Sequence, residues 1–333
     1  MKSKPMTKFA ILALSLVLVA CAGGGSEEAG CPAIDGREIN VVATTPMIGE
    51  FVSQVGGENI NLTVLMPPEA NPHTYEPAPQ DAGTIAEADL VFYTGLLYEP
   101  AALVKLLENS ACSTDILSEV GESVFPIEFK EGGHDDHDDH DDHDDEEGHD
   151  DHEGHNHGAY DPHFWFDPSR VAYAAEYIES RLIQFDPENE SSYTSSADSF
   201  VSELNDLTKQ VSELISTVPS QNRKLITTHE SLGYLEAKFG LEVLSTIIPS
   251  LNSANEISPS DLAGVIDVIE DNNVKVIFIE SEAPSVYSET IVAETGIKPV
   301  TGLYVEPLKP GQSYSEFLIS NVKLITENLQ DTD

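Results

Sequence analysis

The chain carries eleven histidines, and eight of them crowd into residues 134–157. These are His134, His137, His140, His143, His149, His152, His155 and His157, set first in a His-Asp-Asp repeat and then in a looser pattern. Imidazole suits Zn²⁺ and titrates near neutrality, so alternating it with carboxylates offers several weak, rapidly exchanging metal sites. The same composition has too little apolar surface to bury a core, and the tract is expected to be disordered without metal. Its expected role is to gather Zn²⁺ and raise the local concentration beside a stronger site. The alternatives are a sensor of high zinc and a tolerated low-complexity insert.

Only His73, His163 and His229 lie elsewhere. His73 sits in Asn71-Pro72-His73-Thr74-Tyr75-Glu76-Pro77, shortly after the apolar run 61–66. His163 sits in Asp161-Pro162-His163-Phe164-Trp165-Phe166-Asp167-Pro168, and His229 closes the run 223–228 in Thr227-Thr228-His229-Glu230. In parallel α/β folds, ligands bind at the carboxyl ends of strands. A proline before a ligand fixes one backbone dihedral and lowers the entropy cost of presenting the side chain. One such histidine would be an ordinary structural group; three in similar positions point to a shared metal site. Zinc favours four ligands, so a fourth donor is needed. Glu280 and Glu306, each following a predicted strand, are the candidates, and spacing does not choose between them. Trp165, the single tryptophan, lies two residues from His163 and should report binding by fluorescence.

The elements that must position these groups follow from periodicity. Apolar runs alternate with longer amphipathic stretches, which predicts α/β units with mostly parallel strands. Strands are predicted at 39–44, 61–66, 89–94 and 124–127, with helices at 46–56, 79–87 and 99–109. A helix over 169–184 is stopped by Asp186-Pro187. Residues 189–217 place Phe200, Leu204, Leu207, Val211, Leu214 and Ile215 at helical spacing without internal Pro or Gly, which predicts one long connecting helix. A second alternation follows, with strands at 223–228, 241–246, 274–279 and 299–305 and helices at 231–239, 259–271, 285–295 and 313–329. Ser258-Pro259-Ser260-Asp261 carries the start signals for the second of these helices. The predicted architecture is two α/β lobes with mostly parallel sheets joined by a long rigid helix, with the metal site in the cleft between them. The boundaries read as a first lobe over 38–168, a helical connector over 169–220 and a second lobe over 221–333.

The beginning of the chain reads as a processing signal. Lys2, Lys4 and Lys8 precede an apolar run from Phe9 to Val19, too short for the roughly 20 residues that span a bilayer. Leu18-Val19-Ala20-Cys21 resembles a bacterial-type lipobox, so residues 1–20 are expected to be a signal peptide and Cys21 the lipidated residue, with 21–37 as a tether. The protein is therefore expected to be extracytoplasmic and held at the membrane by its lipid. Cys31 and Cys112 remain, and an even pair in an exported chain suggests a disulfide. The formal net charge of −43 argues against nucleic-acid partners.

At the three isolated histidines the chain resembles the zinc and manganese solute-binding proteins of ABC importers, the cluster A-I family. Asn71 to Pro77 is similar to its first ligand motif and Asp161 to Pro168 to its second. Thr228-His229-Glu230 with Gly233-Tyr234-Leu235 is similar to its third. The resemblance runs over about residues 38–330 and implies two lobes, a rigid connecting helix and a metal between the lobes. It also implies that Glu306, in Val305-Glu306-Pro307-Leu308, supplies the fourth ligand, where the family more often has Asp. Glu280 then matches a position near the site but outside the first ring of ligands. Manganese-type members replace the third histidine with a carboxylate, so the resemblance favours Zn²⁺ over Mn²⁺, as does the Irving–Williams order at nitrogen sites. The implied partners are an ABC permease and its cytoplasmic ATPase, with the protein itself a monomer and not an enzyme. The rival readings are a zinc-dependent hydrolase and a surface adhesin or zinc scavenger. Against the hydrolase, there is no His-Glu-x-x-His helix, nucleophile elbow or phosphate-cradling glycine loop. Free imidazole titration places the expected loss of metal affinity below about pH 6.

Overall fold

Four short strands of the first half pair side by side, all parallel: β1 (Ile39–Ala43), β2 (Ile60–Val64), β3 (Leu90–Tyr93) and β4 (Leu117–Glu119) stand in the order β2-β1-β3-β4. This is a computed structural model describing residues 31, 34, 36–68, 70–129, 160–248, 250, 252, 256–281, 285–306 and 308–330. Parallel neighbours need crossovers, and α1 (Pro46–Gly56), α2 (Pro79–Ala86) and α3 (Ala101–Ser110) supply them. Thr45 starts α1 by accepting the Ile48 N–H on its hydroxyl, and Pro46 follows where no N–H is required.

The predicted strand at 124–127 is not a strand. Gly121–Val124 form a 3₁₀ turn, Phe125 takes a left-handed φ of 52°, and Pro126 has no N–H to give a ladder. The edge position belongs instead to β4, whose three residues are too few to show an apolar period. Residues beyond Pro126 touch the returning chain through one antiparallel bridge, Glu128 with Tyr160.

Two helices lead to the second half, α4 (Pro168–Phe185) and α5 (Glu190–Ser216). The 27 residues of α5 reach about 40 Å at 1.5 Å per residue. Its buried face is Tyr193, Ala197, Phe200, Leu204, Leu207, Val211 and Ile215, a continuous three-and-four-residue stripe. The second half then alternates β5 (Lys224–His229), α6 (Gly233–Phe239), β6 (Glu242–Ile248), α7 (Pro259–Asn272), β7 (Val276–Glu280), α8 (Ser285–Thr295), β8 (Lys298–Leu303) and α9 (Tyr314–Gln330). Strands β5 and β6 pair in parallel, as do β7 and β8. The two ribbons are tied where β5 and β7 end: the Glu280 N–H donates to Thr228 Oγ1 at 3.0 Å.

One apolar core runs through both lobes. Phe51 of α1 has Phe164, Phe200 of α5 and Tyr314 of α9 within 5.3–6.3 Å, centroid to centroid. Trp165 donates its indole N–H to the Val305 carbonyl at 2.9 Å, and Tyr314 donates its hydroxyl to the Trp165 carbonyl at 2.6 Å. Smaller clusters cover the outer sheet faces, one around Val42, Val91 and Leu103 and another around Ile226, Ile277 and Ile291. Cys31 and Cys112 form a disulfide that fastens the start of the described chain beside the end of α3. No helix among the described residues is long and apolar enough to cross a membrane.

Candidate metal centre

Three loops and one strand end converge where the lobes meet. Asn71 accepts the His73 N–H on its side-chain oxygen at 2.9 Å and so begins the 3₁₀ turn Pro72–Thr74 that follows β2. Asp161 does the same for His163, accepting the backbone N–H at 2.8 Å just before the 3₁₀ turn Phe164–Phe166. His229 is the last residue of β5, and Glu280 at the end of β7 accepts its N–H at 3.2 Å. Glu306 follows β8, on a segment held to α9 by Asn321, whose amide both accepts from the Tyr304 N–H and donates to the Tyr304 carbonyl.

The side chains so placed meet at one oxygen. Glu306 Oε1 lies 2.9 Å from His73 Nε2, 3.0 Å from His229 Nε2 and 3.3 Å from His163 Nε2. The four donor atoms all fall within 4.8 Å of one another. Bonds of about 2.0–2.2 Å to a tetrahedral zinc ion put neighbouring donors about 3.3–3.6 Å apart. The three oxygen–nitrogen distances lie at or just below that range, so a small outward shift of Glu306 Oε1 brings them to the spacing of a zinc shell. Three imidazole nitrogens and one carboxylate oxygen are also the donor types that suit Zn²⁺. Little of the centre reaches solvent: the side chains are 0 % exposed at His163, His229 and Glu306, and 3 % at His73.

A second layer of carboxylates orients the rings. Asp161 Oδ1 lies 2.8 Å from His163 Nδ1, and Glu280 Oε2 makes a short contact with His229 Nδ1. A carboxylate only accepts, so each Nδ1 carries the proton and each Nε2 turns to the centre. Burial alone would lower both imidazole pKa values. The surrounding carboxylates outweigh it, with Glu306 and Asp161 raising His163 to about 9 and Glu280 and Glu306 raising His229 to about 10. Burial likewise opposes the Glu306 anion, but His73, His163 and His229 hold its carboxyl well below the usual range. The cage thus holds an anion and collects positive charge, supplied either by protons or by a cation.

Of the residues singled out from the sequence, His73, His163, His229 and Glu306 come together. Glu280 stands behind His229 and does not face the shared centre. Cys21 and the eight histidines of 134–157 lie outside the described residues, as does the expected disorder of that tract. Sequence reading passed over two partners. Asp161 was legible in principle, since Asp-Pro-His places a carboxylate two residues before its ring. Tyr98, whose hydroxyl donates to Glu306 Oε2 at 2.5 Å, carries no local signal beyond its place after β3.

The family described as zinc-uptake complex component A, periplasmic, matches residues 41–328. The chain is 28% identical over 331 residues to the high-affinity zinc uptake system protein ZnuA of Bacillus subtilis, covering 96% of each chain. It is 23% identical over 317 residues to the manganese-binding lipoprotein MntA of Halalkalibacterium halodurans, covering 95% of this chain and 94% of that one. In fold it resembles the periplasmic zinc-binding protein TroA of Treponema pallidum, with a TM-score of 0.74 at 21% identity over 88% of this chain and 99% of that one.

Proposed function

The chain belongs to the zinc-uptake complex component A family, and from that membership we propose that it captures Zn²⁺ outside the cytoplasm and delivers it to an ABC-type importer. The ligands in this reading are His73, His163, His229 and Glu306. One observation carries it: three imidazole nitrogens from separate parts of the chain surround a single buried carboxylate oxygen at 2.9–3.3 Å. Four protein donors fill a tetrahedral shell and leave no open position for an activated water, which favours carriage over hydrolysis. Nitrogen-rich ligation also favours Zn²⁺ over Mn²⁺ in the Irving–Williams order. Manganese is the competing cargo, because relatives such as MntA are named for it. The further parts of the reading are a lipid anchor at Cys21, a permease and ATPase as partners, a monomeric state, and residues 134–157 as a gatherer of zinc.

Calorimetric titration tests the ligand set. A variant lacking residues 134–157 should still bind one Zn²⁺ tightly while the total stoichiometry falls. His229→Ala in that background should lose affinity by at least about a hundredfold, since it removes one of four bonds and leaves Glu280 without its partner. Tight one-to-one binding by the variant lacking His73, His163 and His229 together would sink the reading.

A further inference from the structure

The two oxygens of Glu306 have different surroundings. Oε1 faces the three imidazoles, whereas Oε2 takes the Tyr98 hydroxyl at 2.5 Å. Tyr98 belongs to the first lobe and Glu306 to the second, so this hydrogen bond also crosses the seam. The phenol ring has little room to swing. It is buried, with its centroid 5.2 Å from the His73 ring, 5.3 Å from Trp165 and 6.0 Å from His163, edge to face with all three. Its backbone is fixed by an unusual turn in which Gly95, Leu96 and Leu97 all take positive φ, at 76°, 53° and 62°. Two non-glycine residues in that region are costly, and they persist where their surroundings over-determine them. Here the buried Glu99 carboxylate accepts the Thr94 and Gly95 N–H groups, Glu119 accepts that of Leu96, and the Tyr98 N–H donates to the Gly95 carbonyl.

A carboxylate can offer a cation one oxygen or two. With one it completes a four-donor shell, the number zinc prefers; with two it makes five, which suits larger oxygen-seeking ions such as Mn²⁺. A phenol already bonded to Oε2 opposes the second mode, because turning that oxygen inward breaks a charge-assisted hydrogen bond in a buried place. We propose that Tyr98 is a positioning residue for metal selectivity, holding Glu306 to one-oxygen donation and thereby favouring four-coordinate Zn²⁺ over Mn²⁺. This rests on the metal-binding reading of the centre.

Tyr98→Phe removes the hydroxyl and keeps the ring. Zn²⁺ and Mn²⁺ affinities would be measured by chelator competition, and the visible spectrum of the Co²⁺-loaded protein would report coordination number. The wild type should show the intense bands of tetrahedral Co²⁺. The variant should show weaker bands of higher coordination, and its preference for Zn²⁺ over Mn²⁺ should fall by about tenfold or more, the scale of one hydrogen bond to a charged group. An unchanged Co²⁺ spectrum and an unchanged affinity ratio in a folded variant would overturn the assignment. A wild type that binds none of the three ions at this centre would instead sink the reading beneath it. Tyr98→Leu, which also lacks the hydroxyl, should reproduce the spectral change; if it alone does so, packing and not the hydroxyl sets selectivity.

Discussion

At the scale of single residues, protons and a divalent cation compete for the same nitrogens. His163 and His229 are raised to about 9 and 10, above the ordinary value of about 6.5, because carboxylates face both nitrogens of each ring. In protein stripped of metal, their charge therefore stabilises the fold fully below about pH 6.5, and that contribution is lost as pH rises through about 9 to 10. A divalent cation bound there must displace these protons. Binding at pH 7.5 is expected to release about two protons, seen as a dependence of the calorimetric enthalpy on buffer ionisation heat. Affinity should keep rising up to about pH 10, well above the window of about pH 6 that free imidazole implies; a flat profile between pH 7 and 9 would contradict this. The three candidate histidines were legible in the sequence because few histidines lie outside one tract and two of them follow a proline, whereas Glu306 was singled out only by the family resemblance. The pKa values of His163 and His229 were not, because Glu280 and Glu306 reach them only through folding.

At the scale of elements, α5 was the most legible, since a stripe of seven apolar side chains at helical spacing survives in any context. Leu204, buried at the middle of that stripe, ties α5 to the core that both lobes share. Leu204→Ala is expected to cost about 2–5 kcal/mol of stability, read from the midpoint of urea unfolding, with zinc stoichiometry unchanged. A loss below about 1 kcal/mol would mean that the helix is held mainly by its ends. Strand β4 was not legible, because three residues give no period, and the apolar Val124-Phe125-Pro126-Ile127 drew the strand prediction in its place. What decides against 124–127 is the positive φ at Phe125, set by the turn and not by hydrophobicity.

For the whole molecule, the two lobes predicted from the alternation are present, but they are less separate than a sequence of two α/β repeats implies. Trp165, Val305 and Tyr314 stitch them through backbone carbonyls, and both lobes fall in one compact unit beginning at Cys31. The burial of the four candidate ligands then has a kinetic meaning. An ion enclosed by side chains only 0–3 % exposed cannot be handed directly to a competing small molecule. Escape must wait for the protein to breathe, so the half-life of the loaded state is set by a motion of the chain and not by the strength of any one coordinate bond. With a large excess of chelator, the rate of zinc loss should therefore reach a ceiling that neither more chelator nor a stronger one can raise. On the proposed function, a docked importer would shorten that lifetime by favouring the open form, a gatekeeper acting on the door rather than on the cargo.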